Sequence, residues 1–165
     1  MNQKTDFVAL LAGLDRAGVE YVVVGGIAVV SQGTPLTTFD LDIVPKGDPD
    51  NLARLLGYLR SVHAHHRGRP AGQVLEPTAA DLEARGHCLL MTDLGALDVL
   101  GRIEEGLDYQ ALLPHTRKIA LQGQPVRILS LAKIAELKSR SPREKDRLAA
   151  ALIKQTLLRQ SKAEK

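Results

Sequence analysis

Aromatic residues make up only 3% of this 165-residue chain, and tryptophan is absent. That scarcity argues against a single-strand nucleic-acid binder built on stacking platforms, which needs aromatic faces for successive bases. A single cysteine, Cys88, excludes a disulfide within the chain and suits a reducing compartment. It lies in the apolar run His87-Cys88-Leu89-Leu90-Met91, where a thiol behaves as a small buried hydrophobe. No apolar run approaches the roughly 20 residues needed to span a bilayer. The polar start Met1-Asn2-Gln3-Lys4-Thr5-Asp6 carries no hydrophobic leader core. The expectation is a soluble, cytoplasmic protein with no membrane partner. Charge is only mildly one-sided, +3 with a pI near 9.1, compatible with nucleic acid without requiring it. An apolar fraction of 44% supports a real core and rules out a disordered chain.

Periodicity divides the chain into alternating elements. Residues 5–17 read as a helix, with Phe7, Leu10, Leu11 and Leu14 on one face and Gly18 ending it. Residues 20–24 are a β-branched strand broken by Gly25-Gly26, and 27–31 a short helix. Residues 39–44 alternate Phe39, Leu41, Ile43 against Asp40, Asp42, Val44, which predicts a strand with one apolar face and one acidic face. A helix capped by Asp48 or Asp50 runs to about Ser61. Residues 62–70 read as a basic loop, and 71–82 fit either a peripheral strand or a short helix. Residues 87–92 and 96–100 form one predicted hairpin, 118–121 and 126–129 another. Residues 109–113 suit a short helix. Ser130 can cap a helix over 131–138, and Ser141-Pro142 opens a last helix to about Gln160. Without a regular βαβ repeat, the fold class expected is α+β with a short mixed sheet.

Three carboxylates interrupt these apolar strands: Asp40, Asp42 and Asp98, the last in Ala96-Leu97-Asp98-Val99-Leu100. Aspartate is depleted from strand interiors, because desolvating it is costly. Side chains at i and i+2 lie on one face about 7 Å apart, given a rise of roughly 3.3 Å per residue. Two carboxylates so placed can share a cation. Asp98 from a neighbouring strand would complete an oxygen-only metal site suited to Mg²⁺ or Mn²⁺. Upstream, Val22-Val23-Val24-Gly25-Gly26-Ile27-Ala28 is strand, glycine pair, helix start. Glycines allow close backbone approach, and a helix N-terminus attracts phosphate.

Gly25-Gly26 followed by Asp40-Leu41-Asp42-Ile43, with Asp98 in Leu97-Asp98-Val99, resembles the signature of the DNA polymerase β-like nucleotidyltransferase superfamily. The stretch Thr37-Thr38-Phe39-Asp40-Leu41-Asp42-Ile43-Val44 is similar to its small bacterial branch, which includes minimal nucleotidyltransferases and abortive-infection-type toxin–antitoxin proteins. The tail is similar as well, in Ile128-Leu129-Ser130-Leu131, Lys138 and Arg143-Glu144-Lys145-Asp146. The resemblance implies a nucleotidyltransferase fold, with a core over residues 1–129 and a C-terminal helical extension over 130–165 packed on it. It implies that Gly25 and Gly26 hold the triphosphate. Asp40 and Asp42 would bind two Mg²⁺ ions, about 3.5–4 Å apart as in two-metal sites. Asp98 would bind the acceptor-side metal and help deprotonate the attacking hydroxyl, while Lys138 and Lys145 neutralise pyrophosphate. The implied substrate is a nucleoside triphosphate, and the implied acceptor a hydroxyl on RNA, protein or a small molecule. A cognate toxin or antitoxin is the implied partner.

One departure stands out: relatives often carry Arg shortly before the Asp-x-Asp run, where this chain has Pro35 and Leu36. That departure points toward an alternative, a catalytically silent nucleotidyltransferase-like partner or nucleotide-binding module, which the intact set of three aspartates opposes. Lys133, Arg140, Arg143 and Arg147 crowd the same tail as Lys138 and Lys145, and a basic helix face is usually solvated. His63, His65 and His66 beside Arg67 and Arg69 suggest either a transition-metal site or, the reading favoured, a solvated basic loop that could meet RNA phosphates.

Overall fold

Short polar side chains set where most helices start. Asp6, Asp48, Thr78, Asp108 and Ser130 each accept a hydrogen bond from a backbone N–H three residues on, removing one orphan donor per helix. The computed structural model describes residues 4–165. In chain order the elements are α1 (Phe7–Arg16), β1 (Tyr21–Val24), α2 (Gly25–Ser31), β2 (Asp40–Pro45), α3 (Pro49–Ser61), β3 (His65–His66), α4 (Ala79–Glu83), β4 (His87–Thr92), β5 (Gly95–Leu100), α5 (Tyr109–Leu112), β6 (Thr116–Leu121), β7 (Gln124–Leu129), α6 (Leu131–Ser139) and α7 (Glu144–Ala163).

The strands form one seven-stranded sheet in the order β3-β4-β5-β2-β1-β7-β6. Two hairpins, β4–β5 and β6–β7, flank the antiparallel pair β1–β2, and they join it through the parallel pairs β5–β2 and β7–β1. The sheet is therefore mixed, and the α+β expectation holds. Leu41 and Ile43 of β2, Leu97 of β5 and Val22 and Val23 of β1 are fully buried, in one core with Leu10, Leu11 and Leu14 of α1 and Leu55 and Leu59 of α3. Leu131, Ile134 and Leu137 of α6 and Ile153 of α7 belong to the same core. No helix among the described residues is long and apolar enough to cross a membrane.

Four local expectations change. Phe39 is 75% exposed and precedes β2, so the apolar face of that strand begins at Leu41 and continues through Ile43. The basic stretch 62–70 contains an edge strand, β3, paired to Met91 and Leu90 of β4. The undecided 71–82 stretch resolves into a loop and the single turn of α4, held by a Thr78–Asp81 capping box. The last helix begins at Glu144 rather than at Ser141-Pro142.

Gln32 ties α2 to the end of β7 and to the two C-terminal helices. From the C-terminal end of α2, its Nε2 donates to the carbonyls of Ala28 and Leu129, and its Oε1 accepts from the Leu131 N–H at the start of α6. Its own carbonyl accepts from Gln160 of α7 at 2.8 Å. Gln32→Ala should leave the Leu129 carbonyl and the Leu131 N–H unpaired in a buried setting, at a cost of about 2 kcal/mol. Thermal unfolding followed by circular dichroism should show a midpoint lower by roughly 4–8 °C.

Candidate active site

Strand alternation puts Asp40 and Asp42 on the face of β2 opposite Leu41 and Ile43. The parallel pairing of β2 with β5 then sets Asp42 directly beside Asp98 and Asp40 beside Ala96. The acidic positions expected from sequence are thus neighbours at the middle of the sheet. On the other side of β2, Asp42 is in register with Val24, the last residue before the glycine pair.

Gly25 opens α2 with φ +66°, and a Cβ there would fall 2.0 Å from Asp42 Oδ2. Only glycine lets the helix begin against that carboxylate. A Cβ on Gly26 would meet Thr38 Oγ1 at 2.5 Å. The space beside both glycines is filled by the chain's own Asp42 and Thr38. No side chain caps the N-terminus of α2. A cleft of about 190 Å³ adjoins this point, lined by Gly25, Asp42, Leu100, Ile103 and Glu104 and, from α6, Ile134 and Lys138.

Sequence reasoning places Arg67 in a solvated strip. Here its Nη1 donates to Asp40 Oδ1 at 3.3 Å and its Nη2 to Asp98 Oδ1 at 2.5 Å. The guanidinium ties together carboxylates from two strands, with its side chain 26% exposed. Its position is fixed by its backbone N–H, which donates to the carbonyl of Leu89, the β4 residue opposite Asp98. The only sequence signal for it is membership in the run His65-His66-Arg67-Gly68-Arg69, which does not distinguish it from Arg69.

Charge crowding shows in the acidities. Asp42 is pushed up to about 7, first by burial and then by the adjacent Asp98 and by Asp40, with Arg67 pulling the other way. Burial also raises Asp98, and Arg67 restrains that rise. Asp42 therefore gives up its proton at higher pH than an ordinary carboxyl, because it is buried beside Asp98. Among the described residues no three His, Cys, Asp or Glu side chains are already gathered as an ion cage, so a cation would have to draw the three aspartates together. The donor set fits a hard divalent ion: three carboxylates, two of which, Asp40 and Asp98, form ion pairs with Arg67.

Lys138 lines the cleft, and its Nζ stands 3.5 Å from Asp146 Oδ1. Asp146 also accepts from Ser141 Oγ and Arg143 Nε, and the Ser141 bond leads the causes holding it below the usual carboxylate range. Lys145, on the first turn of α7, is exposed and is not among the residues lining the cleft. Of the histidines, His63 pairs with Asp93 on the surface and His66 with Asp81. Cys88 is buried, and burial pushes its thiol up.

With this geometry in view, solved structures decide the fold. The lincosamide antibiotic adenylyltransferase LnuA, lincomycin-bound, superposes with a TM-score of 0.60 at 14% identity, over 93% of this chain and 98% of that one. The chain has the nucleotidyltransferase fold. The antibiotic-resistance factor ANT(2'')-Ia matches at 0.54 and 16% identity, over 90% of this chain and 80% of that one. An antigenic nucleotidyltransferase-like protein from Paracoccidioides brasiliensis matches at 0.54 and 18%, over 90% and 72%. No protein-family model matches the sequence, and no curated protein matches it.

The raised acidity constant of Asp42 has a signed consequence. A carboxyl that binds its proton more tightly when folded contributes most below its unfolded value of 3.8, and stability is lost as pH rises from there to about 7. In EDTA, Asp42→Asn should match wild type near pH 4 and exceed it at pH 8 by about 3 °C, on the order of 1 kcal/mol. Thermal melts across that range check the prediction.

Proposed function

We propose that the chain is a metal-dependent nucleotidyltransferase, moving a nucleoside monophosphate from a nucleoside triphosphate to an acceptor hydroxyl with release of pyrophosphate. The observation that carries this reading is the in-register pair Asp42–Asp98 with Asp40 on the same strand face, Asp42 itself lining a cleft walled by Gly25 and Lys138. Asp40, Asp42 and Asp98 would hold Mg²⁺ or Mn²⁺, in a two-metal arrangement, which when bound offsets phosphate charge and acidifies the attacking hydroxyl.

The chain's own groups do the rest. The uncapped N–H groups opening α2 at Gly25 and Gly26 face the phosphates. Lys138, at the cleft wall, meets the charge that accumulates on the departing pyrophosphate, with Lys145 assisting from the exposed first turn of α7. Asp98, its basicity raised by burial, takes the proton of the attacking hydroxyl at a carboxylate oxygen. In this scheme residues 130–165 are an extension that lays Lys138 over a core of residues 1–129. The acceptor hydroxyl belongs to RNA, to a protein in a toxin–antitoxin pair, or to a small molecule. The likeness to LnuA, a lincosamide antibiotic adenylyltransferase, supports the last of these.

A second reading, a catalytically silent nucleotide-binding module acting in the cytoplasm, draws on one observation: Arg67 already pairs with two of the three carboxylates. Calorimetric titration of ATP, GTP, CTP and UTP with Mg²⁺ or with EDTA separates the two. Mg²⁺-dependent binding that disappears in Asp40→Ala/Asp42→Ala supports the enzyme. The same double substitution should reduce any transfer by on the order of 10³-fold or more, while the circular dichroism spectrum stays native. Transfer that survives it, or the absence of triphosphate binding by folded wild type, rejects the enzyme reading.

A further inference from the structure

We infer that Arg67 is the resident cation of the carboxylate site and is exchanged for the divalent ion when the site is loaded. The inference rests on the metal-site reading above and deepens it. Three aspartates on adjacent strands need positive charge in every state of the protein, since each unpaired carboxylate in a half-buried setting is costly. In the free chain that charge is Arg67, whose fork spans Asp40 at 3.3 Å and Asp98 at 2.5 Å. A guanidinium cannot lose its proton to make way for a metal. It is a positive charge hydrogen-bonded to two of the oxygen ligands a metal would take. A divalent ion at those oxygens and the guanidinium repel one another, so one must leave.

The structure makes the departure of the arginine inexpensive. Its backbone is tied to Leu89 by one N–H bond, and the chain beyond it, residues 68–76, is exposed throughout. Gly68 and Gly72 in that stretch both have positive φ, +76° and +85°, with nothing within 4 Å of where a Cβ would stand. The side chain can therefore swing into solvent without displacing packed neighbours. Arg67 differs in this from Lys138, whose partner Asp146 lies outside the carboxylate triad and is bonded to Ser141 and Arg143 as well. The placement also accounts for the missing basic residue at Pro35 and Leu36. Positive charge reaches the acidic face from the β3–α4 loop rather than from the segment preceding β2.

Exchange has two readouts that do not require activity. The first is Mn²⁺ affinity by calorimetry for wild type, Arg67→Ala and Arg67→Lys. Removing the competitor should tighten Mn²⁺ binding by about tenfold in Arg67→Ala, equivalent to about 1.4 kcal/mol, with Arg67→Lys between the two. The second uses wild type alone. Trypsin must seat the Arg67 side chain to cut the Arg67–Gly68 bond, so cleavage there, followed by mass spectrometry, should run several-fold faster in Mn²⁺ than in EDTA while cleavage at Arg117 is unchanged. Equal Mn²⁺ affinity in wild type and Arg67→Ala, weaker affinity in the variant, or unchanged cleavage at Arg67 overturns the exchange and leaves the metal site standing. Failure of Mn²⁺ to bind any of the three proteins, or binding that persists in Asp40→Asn/Asp42→Asn, overturns the metal site and the exchange with it.

Discussion

The parallel pairing of β2 with β5 is the constraint to which the rest of the site answers. It holds Asp42 against Asp98 with Asp40 one register step away, so like charges meet at the middle of the sheet. Each neighbouring feature compensates for that crowding. Gly25 gives up its side chain so that α2 can start beside the Asp42 carboxylate. Burial and the adjacent Asp98 push the Asp42 carboxyl up to about 7. Arg67 is drawn across from the β3–α4 loop. A fold that only needed stability would replace these aspartates with aliphatic residues, and their retention fits the metal-binding role proposed for them.

Much of this was legible in the sequence because it depends on local period. Alternation in Asp40–Val44 and Ala96–Leu100 identifies both acidic strands, and the glycine turns identify both hairpins. Cap residues mark α3 and α6 to within a residue. What local pattern does not carry is pairing between distant segments. Nothing in Phe39 itself reveals that β2 begins one residue later and leaves the ring in solvent. Arg67 and Arg69 are equivalent as text. They differ because β3 pairs with β4 and the Arg67 N–H finds Leu89, a contact between segments 22 residues apart in the chain. The two residues of β3 are too few for any periodicity to register.

The C-terminal helices present a milder case. Lys138 and Lys145 look alike among the basic residues of the tail, yet α6 turns Lys138 toward the cleft while α7 leaves Lys145 in water. The difference follows from Gln32, which seats the first turn of α6 against α2 and the end of β7, and so aims the face of α6 that carries Ile134, Leu137 and Lys138. One buried amide thus sets the relation between the helix that opens at the glycine pair and the helix that brings the cation.

The ends of the sheet bear on how the molecule behaves at high concentration. A seven-stranded sheet has two margins at which a second copy could add its own strand. At one, β3 is two residues long and the N–H of His66 is already taken by the carbonyl of Leu75. At the other, β6 carries the exposed cations Arg117 and Lys118, one on each face of the edge strand, which charges the margin a second strand would have to join. Neither margin is an easy template, which disfavours edge-to-edge aggregation as the route by which this chain would leave solution.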